Sequence, residues 1–167
     1  MSTFVLFHVV ISLIAIATGF VVLAGLLRGQ RLDAWTAIFL VTTIATSVTG
    51  YGIPADRLLP SHVVGALSLV VLALALYARY GARLAGGWRW AYVISATIAL
   101  YFNVFVGVVQ AFLRVPALRA AAPRQNEPPF VAAQSVVLLL FIGLGWLATK
   151  RFRSGAPAGP AVVTRTA

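Results

Sequence analysis

Apolar residues occupy this chain in five long stretches, which begin near Phe4, Trp35, His62, Trp88 and Phe130. Short connectors rich in arginine, glycine or proline separate the stretches. A bilayer core about 30 Å thick is crossed by roughly 20 helical residues, and each stretch is close to that length. The pattern therefore predicts an all-α integral membrane bundle of five transmembrane helices, at about 4–27, 35–53, 62–80, 88–113 and 130–149.

Composition supports a membrane location. Hydrophobic residues make up 61% of the chain and the mean hydropathy is +0.97, whereas soluble domains are about 45–50% apolar. The connectors are short, so we expect residues 1–153 to form one membrane domain. The segment 154–167, rich in Gly, Ala and Pro, is expected to be a disordered cytoplasmic tail. Because no Lys or Arg precedes the first stretch, we expect no cleavable signal peptide.

The basic residues predict how the chain is oriented. Lysines and arginines number 13 against three acidic residues, and they flank the apolar stretches. That placement suits lipid headgroups rather than nucleic acid. One side of a five-span bundle receives nine of them: Arg28, Arg31, Arg79, Arg83, Arg89, Lys150, Arg151, Arg153 and Arg165. The other side receives four: Arg57, Arg114, Arg119 and Arg124. The positive-inside rule then predicts a bacterial inner-membrane protein with its N-terminus outside and its C-terminus in the cytoplasm.

Several classes of chemistry are disfavoured by what the sequence contains. With no cysteine, the chain has no disulfide, thiolate metal site or cysteine nucleophile. The three acidic residues, Asp33, Asp56 and Glu127, all lie outside the apolar stretches. Proton-coupled transporters usually carry an intramembrane carboxylate, and acid–base catalysis often needs a carboxylate pair. We therefore predict no catalytic residues and favour a non-enzymatic protein.

Two histidines mark a candidate site. His8 lies 20 residues before Arg28, and His62 lies 17 residues before Arg79. At 1.5 Å per residue these separations are about 30 and 25 Å, so both imidazoles are expected at the outer interface at similar depth. Each shares a helix face with small residues: Ser12, Ala15 and Gly19 for the first histidine, and Gly65, Ala66, Leu69 and Ala73 for the second. Small residues mark helix contacts in membranes, so we expect both histidines to face the bundle.

Further polar residues are predicted to gather at the same outer end. They are Thr49, Gln110 and Gln134 in the spans, and Gln125 and Glu127 in the loop before the last span. Amides in hydrocarbon need partners, and interhelical hydrogen bonds contribute about 0.6–2 kcal/mol each. The cytoplasmic halves of the spans look like plain apolar anchors. With His8 and His62, these residues form the predicted binding site, for a small lipophilic ligand, a lipid or another membrane subunit, with no cofactor.

Two alternatives use the same residues differently. Neutral imidazoles on facing helices can supply both axial ligands of a b-type haem, so His8 and His62 are compatible with a small redox carrier. A transporter or channel subunit is a second alternative, with Thr42, Thr46 and Thr49 lining the path. The ordinary interpretation of the histidines is that they hydrogen-bond to threonines or to backbone carbonyls, which outweighs the cofactor interpretation.

Six segments resemble a group of small multi-pass bacterial inner-membrane proteins of unassigned activity. They read FHVVISLIAIATGF, TTIATSVTGY, PSHVVGALSL, NVFVGVVQAF, RVPALRA and RQNEPPF. The resemblance covers about residues 4–153 and includes the pattern HxxxSLxAxxxG of the first span. It implies a multi-pass inner-membrane location and implies no ligand or reaction.

Overall fold

The computed structural model describes residues 3–52 and 60–153, and over these ranges the chain is all-helical. Six α-helices follow one another: α1 (Thr3–Leu27), α2 (Asp33–Gly50), α3 (Pro60–Leu76), α4 (Trp88–Arg114), α5 (Pro116–Ala121) and α6 (Pro128–Arg151). A π-helical turn, Tyr77–Gly81, directly continues α3. The all-α prediction is confirmed for these ranges. Asp56, Arg57 and the predicted disordered tail at 154–167 lie outside them.

The long helices pack as an antiparallel bundle around α4. The first helix packs on α2, α2 packs on α3, and α4 contacts α1, α3 and α6. The bundle therefore has two ends. The histidine end holds the starts of α1, α3 and α6 together with the last turns of α2 and α4. The basic end holds the α1–α2 connector, the π-helical turn, the start of α4 and the last turn of α6.

Local sequence explains where several helices begin and end. Asp33 lies in the first turn of α2, and Lys150 and Arg151 lie in the last turn of α6, each opposite in sign to the helix dipole there. Both α5 and α6 begin with proline, which is well suited to a first helical turn. The segment 114–129 was predicted to be a loop, and its short helix α5 was missed because Pro116 starts a helix as readily as it interrupts one.

Polar and apolar side chains are distributed as in a bundle surrounded by lipid. Large apolar residues are highly exposed, among them Val70 at 69%, Leu139 at 67% and Trp146 at 64%. In contrast, the hydroxyl residues Thr43 and Ser95 are almost fully buried. A soluble domain of this size does not expose such extensive apolar surface, whereas a membrane span requires it.

Four helical segments are long and apolar enough to cross a membrane. They are Thr3–Leu27, His62–Gly81, Trp88–Arg114 and Pro128–Arg151. The second helix, with 18 residues, is long enough but not apolar enough to be among them, so the fifth predicted span is not confirmed. Its apolar character is diluted by Asp33 and by six hydroxyl residues: Thr36, Thr42, Thr43, Thr46, Ser47 and Thr49.

The small-residue stripes predicted the packed face of α1 but not that of α3. On α1, Ala15 and Gly19 are buried as expected. On α3, Ala66 and Ala73 are exposed instead, and the buried face carries Ser68, Leu72 and Ala75. Polar groups account for the difference, because Ser68 and the buried Arg79 lie on one helix face and both need partners inside the bundle.

A buried arginine lies at the basic end, so the prediction of plain apolar anchors there is wrong. Arg79 is 7% exposed and donates a hydrogen bond to the Asp33 carboxylate at the start of α2. Its guanidinium carbon lies 5.0 Å from the ring centre of Tyr92, whose hydroxyl is 3.3 Å from that of Thr36. Arg79 lies on the same helix face as the buried Ser68, Leu72 and Ala75, eleven residues after Ser68, and the π-helical turn continues that face to the basic end.

Candidate functional site

A cavity of about 150 Å³, lined by both polar and apolar side chains, opens among α1, α2, α3 and α4 at the histidine end. Its polar lining comes from all four helices and from the residue that follows α2: His8, Thr46, Ser47, Tyr51, His62, Ser68, Asn103 and Gln110. No Asp, Glu, Lys or Arg is among the lining residues. Such a wall offers hydrogen-bond donors and acceptors without an ionic attraction.

The hydrogen bonds of His8 define its tautomer. Its Nδ1 lies 2.8 Å from the hydroxyl oxygen of Thr49. That hydroxyl already donates to the carbonyl of Ala45 at 2.7 Å. Thr49 therefore accepts from His8, so Nδ1 carries the proton and Nε2 of the neutral ring is an acceptor. Thr49 does not line the cavity itself; it orients the imidazole that does.

Tyr51 holds the second histidine in place. The two rings are stacked, with centres 5.4 Å apart and planes 20° from parallel. The Tyr51 hydroxyl donates to the backbone carbonyl of His62 at 2.6 Å. A Cβ at Gly65 would lie 3.4 Å from the tyrosine ring, so the glycine allows this ring to approach α3 closely. The end of α2 and the start of α3 thus form one wall of the cavity.

Interhelical hydrogen bonds form the inner part of the cavity. The hydroxyls of Ser47 and Ser68 lie 3.3 Å apart and connect α2 to α3. The Asn103 amide nitrogen donates to the Thr43 hydroxyl at 3.1 Å and connects α2 to α4. Ser68 and Asn103 were not among the predicted site residues. Each is an isolated polar side chain within an apolar stretch, and that signal could have identified both.

Thr46 is the exception among the polar groups of α2. Its hydroxyl oxygen is buried and has no hydrogen-bond partner. Its neighbours Thr42 and Thr49 instead donate to a carbonyl one turn earlier, as helical threonines commonly do. Leaving a buried hydroxyl unpaired costs about 1–3 kcal/mol. Thr46 lines the cavity, but its hydroxyl oxygen is shielded from solvent.

Three predicted site residues lie away from the cavity. The side-chain amide of Gln125 donates to the Val109 carbonyl at 2.9 Å, and that of Gln134 donates to the Phe105 carbonyl at 3.2 Å. Both residues attach the last third of the chain to α4. Glu127 lies between them in sequence and is partly exposed. The predicted site is therefore divided: His8, His62 and Gln110 line the cavity with Thr49 behind them, whereas Gln125, Glu127 and Gln134 do not.

Glu127 orders the turn that precedes α6. Its carboxylate accepts hydrogen bonds from the backbone N–H groups of Arg124 at 3.1 Å and Asn126 at 3.1 Å. Desolvation acts to raise the pKa of this carboxyl, but the backbone N–H bonds and the nearby Arg124 charge outweigh it, so the pKa is lowered. The sequence prediction of a binding role for Glu127 has no counterpart in these contacts, which are local to the turn.

Gln110 lies at the rim of the cavity. Its side chain is exposed, and its amide oxygen accepts a hydrogen bond from the Arg114 guanidinium at 3.2 Å. This bond occupies the oxygen and leaves the amide NH₂ group as the donor at the rim.

Comparisons of the chain with protein-family models, with curated proteins and with solved structures gave no match.

Proposed function

We propose that this chain is a five-span bacterial inner-membrane protein whose histidine-end cavity binds a small uncharged polar molecule from the outer side. The amphipathic character of α2 supports its role as the fifth span. Its outward face is apolar, with Trp35, Ile38, Val41 and Val48 exposed, and its hydroxyls face the bundle. Eighteen residues span about 27 Å, close to the thickness of the hydrocarbon core.

The charge difference between the two ends supports the orientation. Among the described residues, eight basic side chains belong to the basic end: Arg28, Arg31, Arg79, Arg83, Arg89, Lys150, Arg151 and Arg153. Three belong to the histidine end: Arg114, Arg119 and Arg124. By the positive-inside rule the basic end is cytoplasmic and the cavity opens outward. The resemblance to small bacterial inner-membrane proteins belongs to the same proposal.

The chemistry of the cavity supports the class of ligand. The observation that carries this proposal is the meeting of polar side chains from four helices around one cavity that no Asp, Glu, Lys or Arg lines. The amide donor of Gln110 and an acceptor at His8 suit a molecule with both kinds of hydrogen-bonding group. A cavity of this volume holds a molecule about the size of benzene. A recessed cavity also suits a small molecule better than the surface of a partner subunit.

The haem alternative receives less support from the geometry. Pockets that enclose drug-sized ligands usually have volumes of about 300–1,000 Å³, whereas this cavity has about 150 Å³. In addition, Nδ1 of His8 is bound to Thr49 and the ring of His62 is stacked on Tyr51.

Transport also receives less support, because the interior closes below the cavity. A path would need polar lining toward the basic end. Beneath Asn103, the centre of the bundle is filled by Phe39, Leu40, Leu72 and Leu100, each 1% exposed. This arrangement favours a dead-end binding site over a channel.

Filling the cavity should abolish binding. We expect untargeted mass spectrometry of the protein purified in bilayer nanodiscs to detect a small polar compound at near-stoichiometric amount. The Thr46→Leu variant should lose at least about 90% of it, because the larger side chain occupies the cavity that Thr46 lines. The matched variant Val48→Leu changes the lipid-facing side of the same turn and should retain the compound.

Two outcomes would count against the proposal. One is that the parent protein carries no compound above the level of empty nanodiscs, even after growth in rich medium. The other is that Thr46→Leu, with an unchanged circular dichroism spectrum, retains as much of the compound as Val48→Leu. The second outcome would place the bound molecule elsewhere on the protein.

A further inference from the structure

A second concavity runs between α4 and α6 toward the basic end, separate from the histidine-end cavity. Its volume is about 390 Å³. Its walls are formed mainly by Trp90, Ile94 and Ile98 of α4 and by Leu138, Ile142 and Trp146 of α6. We call it the α4–α6 groove.

The groove presents hydrocarbon and aromatic surface. Two hydroxyl residues lie in it, but Thr97 donates to the Val93 carbonyl at 2.7 Å and Thr149 donates to the Trp146 carbonyl at 2.6 Å. Their hydrogen-bonding capacity is therefore largely used within their own helices. A surface of this kind suits an aliphatic chain.

The length of the groove corresponds to one leaflet. It extends from Trp90 to Tyr101 on α4 and from Leu138 to Thr149 on α6, which is eleven residue steps on each helix. Eleven steps of an α-helix rise about 16 Å, close to half of a hydrocarbon core about 30 Å thick. The groove thus has the reach of one acyl chain that enters from the basic end.

Two cations stand at the basic end of the groove, each held against one of its tryptophans. The Arg89 guanidinium carbon lies 5.3 Å from the ring centre of Trp90, and the Lys150 ammonium lies 5.8 Å from the ring centre of Trp146. A cation–π contact of this kind favours a position of the cation beside the ring. Among the described residues no carboxylate pairs with either cation, because Asp33 pairs with Arg79 and Glu127 lies at the other end.

We propose that the α4–α6 groove binds an anionic phospholipid of the surrounding leaflet. One acyl chain lies along the groove, and the phosphate meets Arg89 and Lys150. Basic sites between helices at the cytoplasmic side are well suited to such headgroups. A second copy of the chain is a poorer occupant, because a parallel neighbour would bring like charges of the two basic ends together. The inference does not depend on the proposed function of the histidine-end cavity.

The test is native mass spectrometry of the full-length protein with an equimolar mixture of phosphatidylglycerol and phosphatidylcholine that have identical acyl chains. We expect one phosphatidylglycerol to remain bound, with a preference of about tenfold or more over phosphatidylcholine. The double variant Arg89→Gln with Lys150→Gln should abolish the preference, so that the two lipids bind about equally. The matched variant Arg28→Gln with Arg31→Gln removes the same charge from the same end, outside the groove, and should keep it.

A third variant tests the apolar part of the site. Ile98→Phe partly fills the groove at a position that is already exposed, so the fold should survive, and retention of both lipids should fall. Equal retention of the two lipids by the parent protein would overturn the proposal. So would an equal loss of preference in the two charge variants, unchanged retention in Ile98→Phe, or a protein dimer that holds no lipid.

Discussion

Replacing Gly19 with leucine should destabilise this protein more than any other single change considered. A Cβ at Gly19 would lie 2.9 Å from Cε2 of Phe39 and closer still to Cδ1 of Leu100. Both neighbours are 1% exposed and cannot move aside without disturbing α2 and α4. Overpacking costs about 1–3 kcal/mol, and a four-carbon side chain that meets two fixed neighbours is at the upper end of that range, about 3 kcal/mol. We expect the midpoint of thermal unfolding in detergent, followed by circular dichroism, to fall by about 6–12 °C.

Gly143 provides the matched control for this substitution. It lies within α6, and nothing lies within 4 Å of the Cβ that it would acquire. Gly143→Leu removes the same helical glycine and adds the same side chain, but that side chain meets lipid or detergent. We expect the unfolding midpoint to stay within about 2 °C of the parent value. Equal losses in both variants would mean that the helix α1 does not pack as described.

Disrupting the Asp33–Arg79 pair should have the second largest effect. Arg79 is buried and Asp33 is its carboxylate partner, so Asp33→Asn leaves a buried guanidinium without an anion. Breaking a fully buried pair costs about 3–5 kcal/mol. The Asp33 side chain is 82% exposed, and solvent therefore screens the pair. With that screening we expect a loss of about 1–2 kcal/mol in the free energy of unfolding.

A double-mutant cycle distinguishes this pair from general surface charge effects. The variant Asp33→Asn with Arg79→Met should lose less stability than the sum of the two single variants, because each single change already removes the interaction. Arg83→Gln is the control. Arg83 is exposed in the connector that follows the π-helical turn, and its replacement should change the free energy of unfolding by no more than about 0.5 kcal/mol. Strictly additive losses in the cycle would show that Asp33 and Arg79 do not interact.

The sequence predicted the helical membrane fold and half of the candidate site, because both depend on patterns that repeat along the chain. Apolar stretches of membrane length identified four helices correctly, with ends within about two residues. Counting residues from the basic end of each helix predicted that His8 and His62 lie at the same end of the bundle. Both line the same cavity. Because α2 contains many hydroxyl residues, its role as a fifth membrane span remains a proposal.

What the sequence did not predict depends on contacts between distant segments. Arg79 is buried because it pairs with Asp33, 46 residues earlier in the chain, and contacts the ring of Tyr92 on another helix. The choice of Ser68 rather than Ala66 for the buried face of α3 depends on Ser47, 21 residues earlier in the chain. Gln125 and Gln134 are polar residues near the histidine end, as expected, but their partners are backbone carbonyls of α4.

The central claim is that a polar cavity opens to the outside between helices whose outer faces meet lipid. Thr46 lines the cavity, whereas Val48, two residues later, is 54% exposed on the opposite face of α2. The chain has no cysteine, so Thr46→Cys and Val48→Cys each introduce the only thiol. A thiol reacts as the thiolate, which forms in water and is suppressed in apolar surroundings.

The decisive measurement is the rate at which a small anionic methanethiosulfonate, which does not cross membranes, modifies each variant in intact cells. We predict that Thr46→Cys reacts at least about tenfold faster than Val48→Cys. If Thr46→Cys reacted only in inverted membrane vesicles, the cavity would open to the cytoplasm. If the two variants reacted at equal rates from the outside, no polar cavity would separate the two faces of α2, and the account would be contradicted.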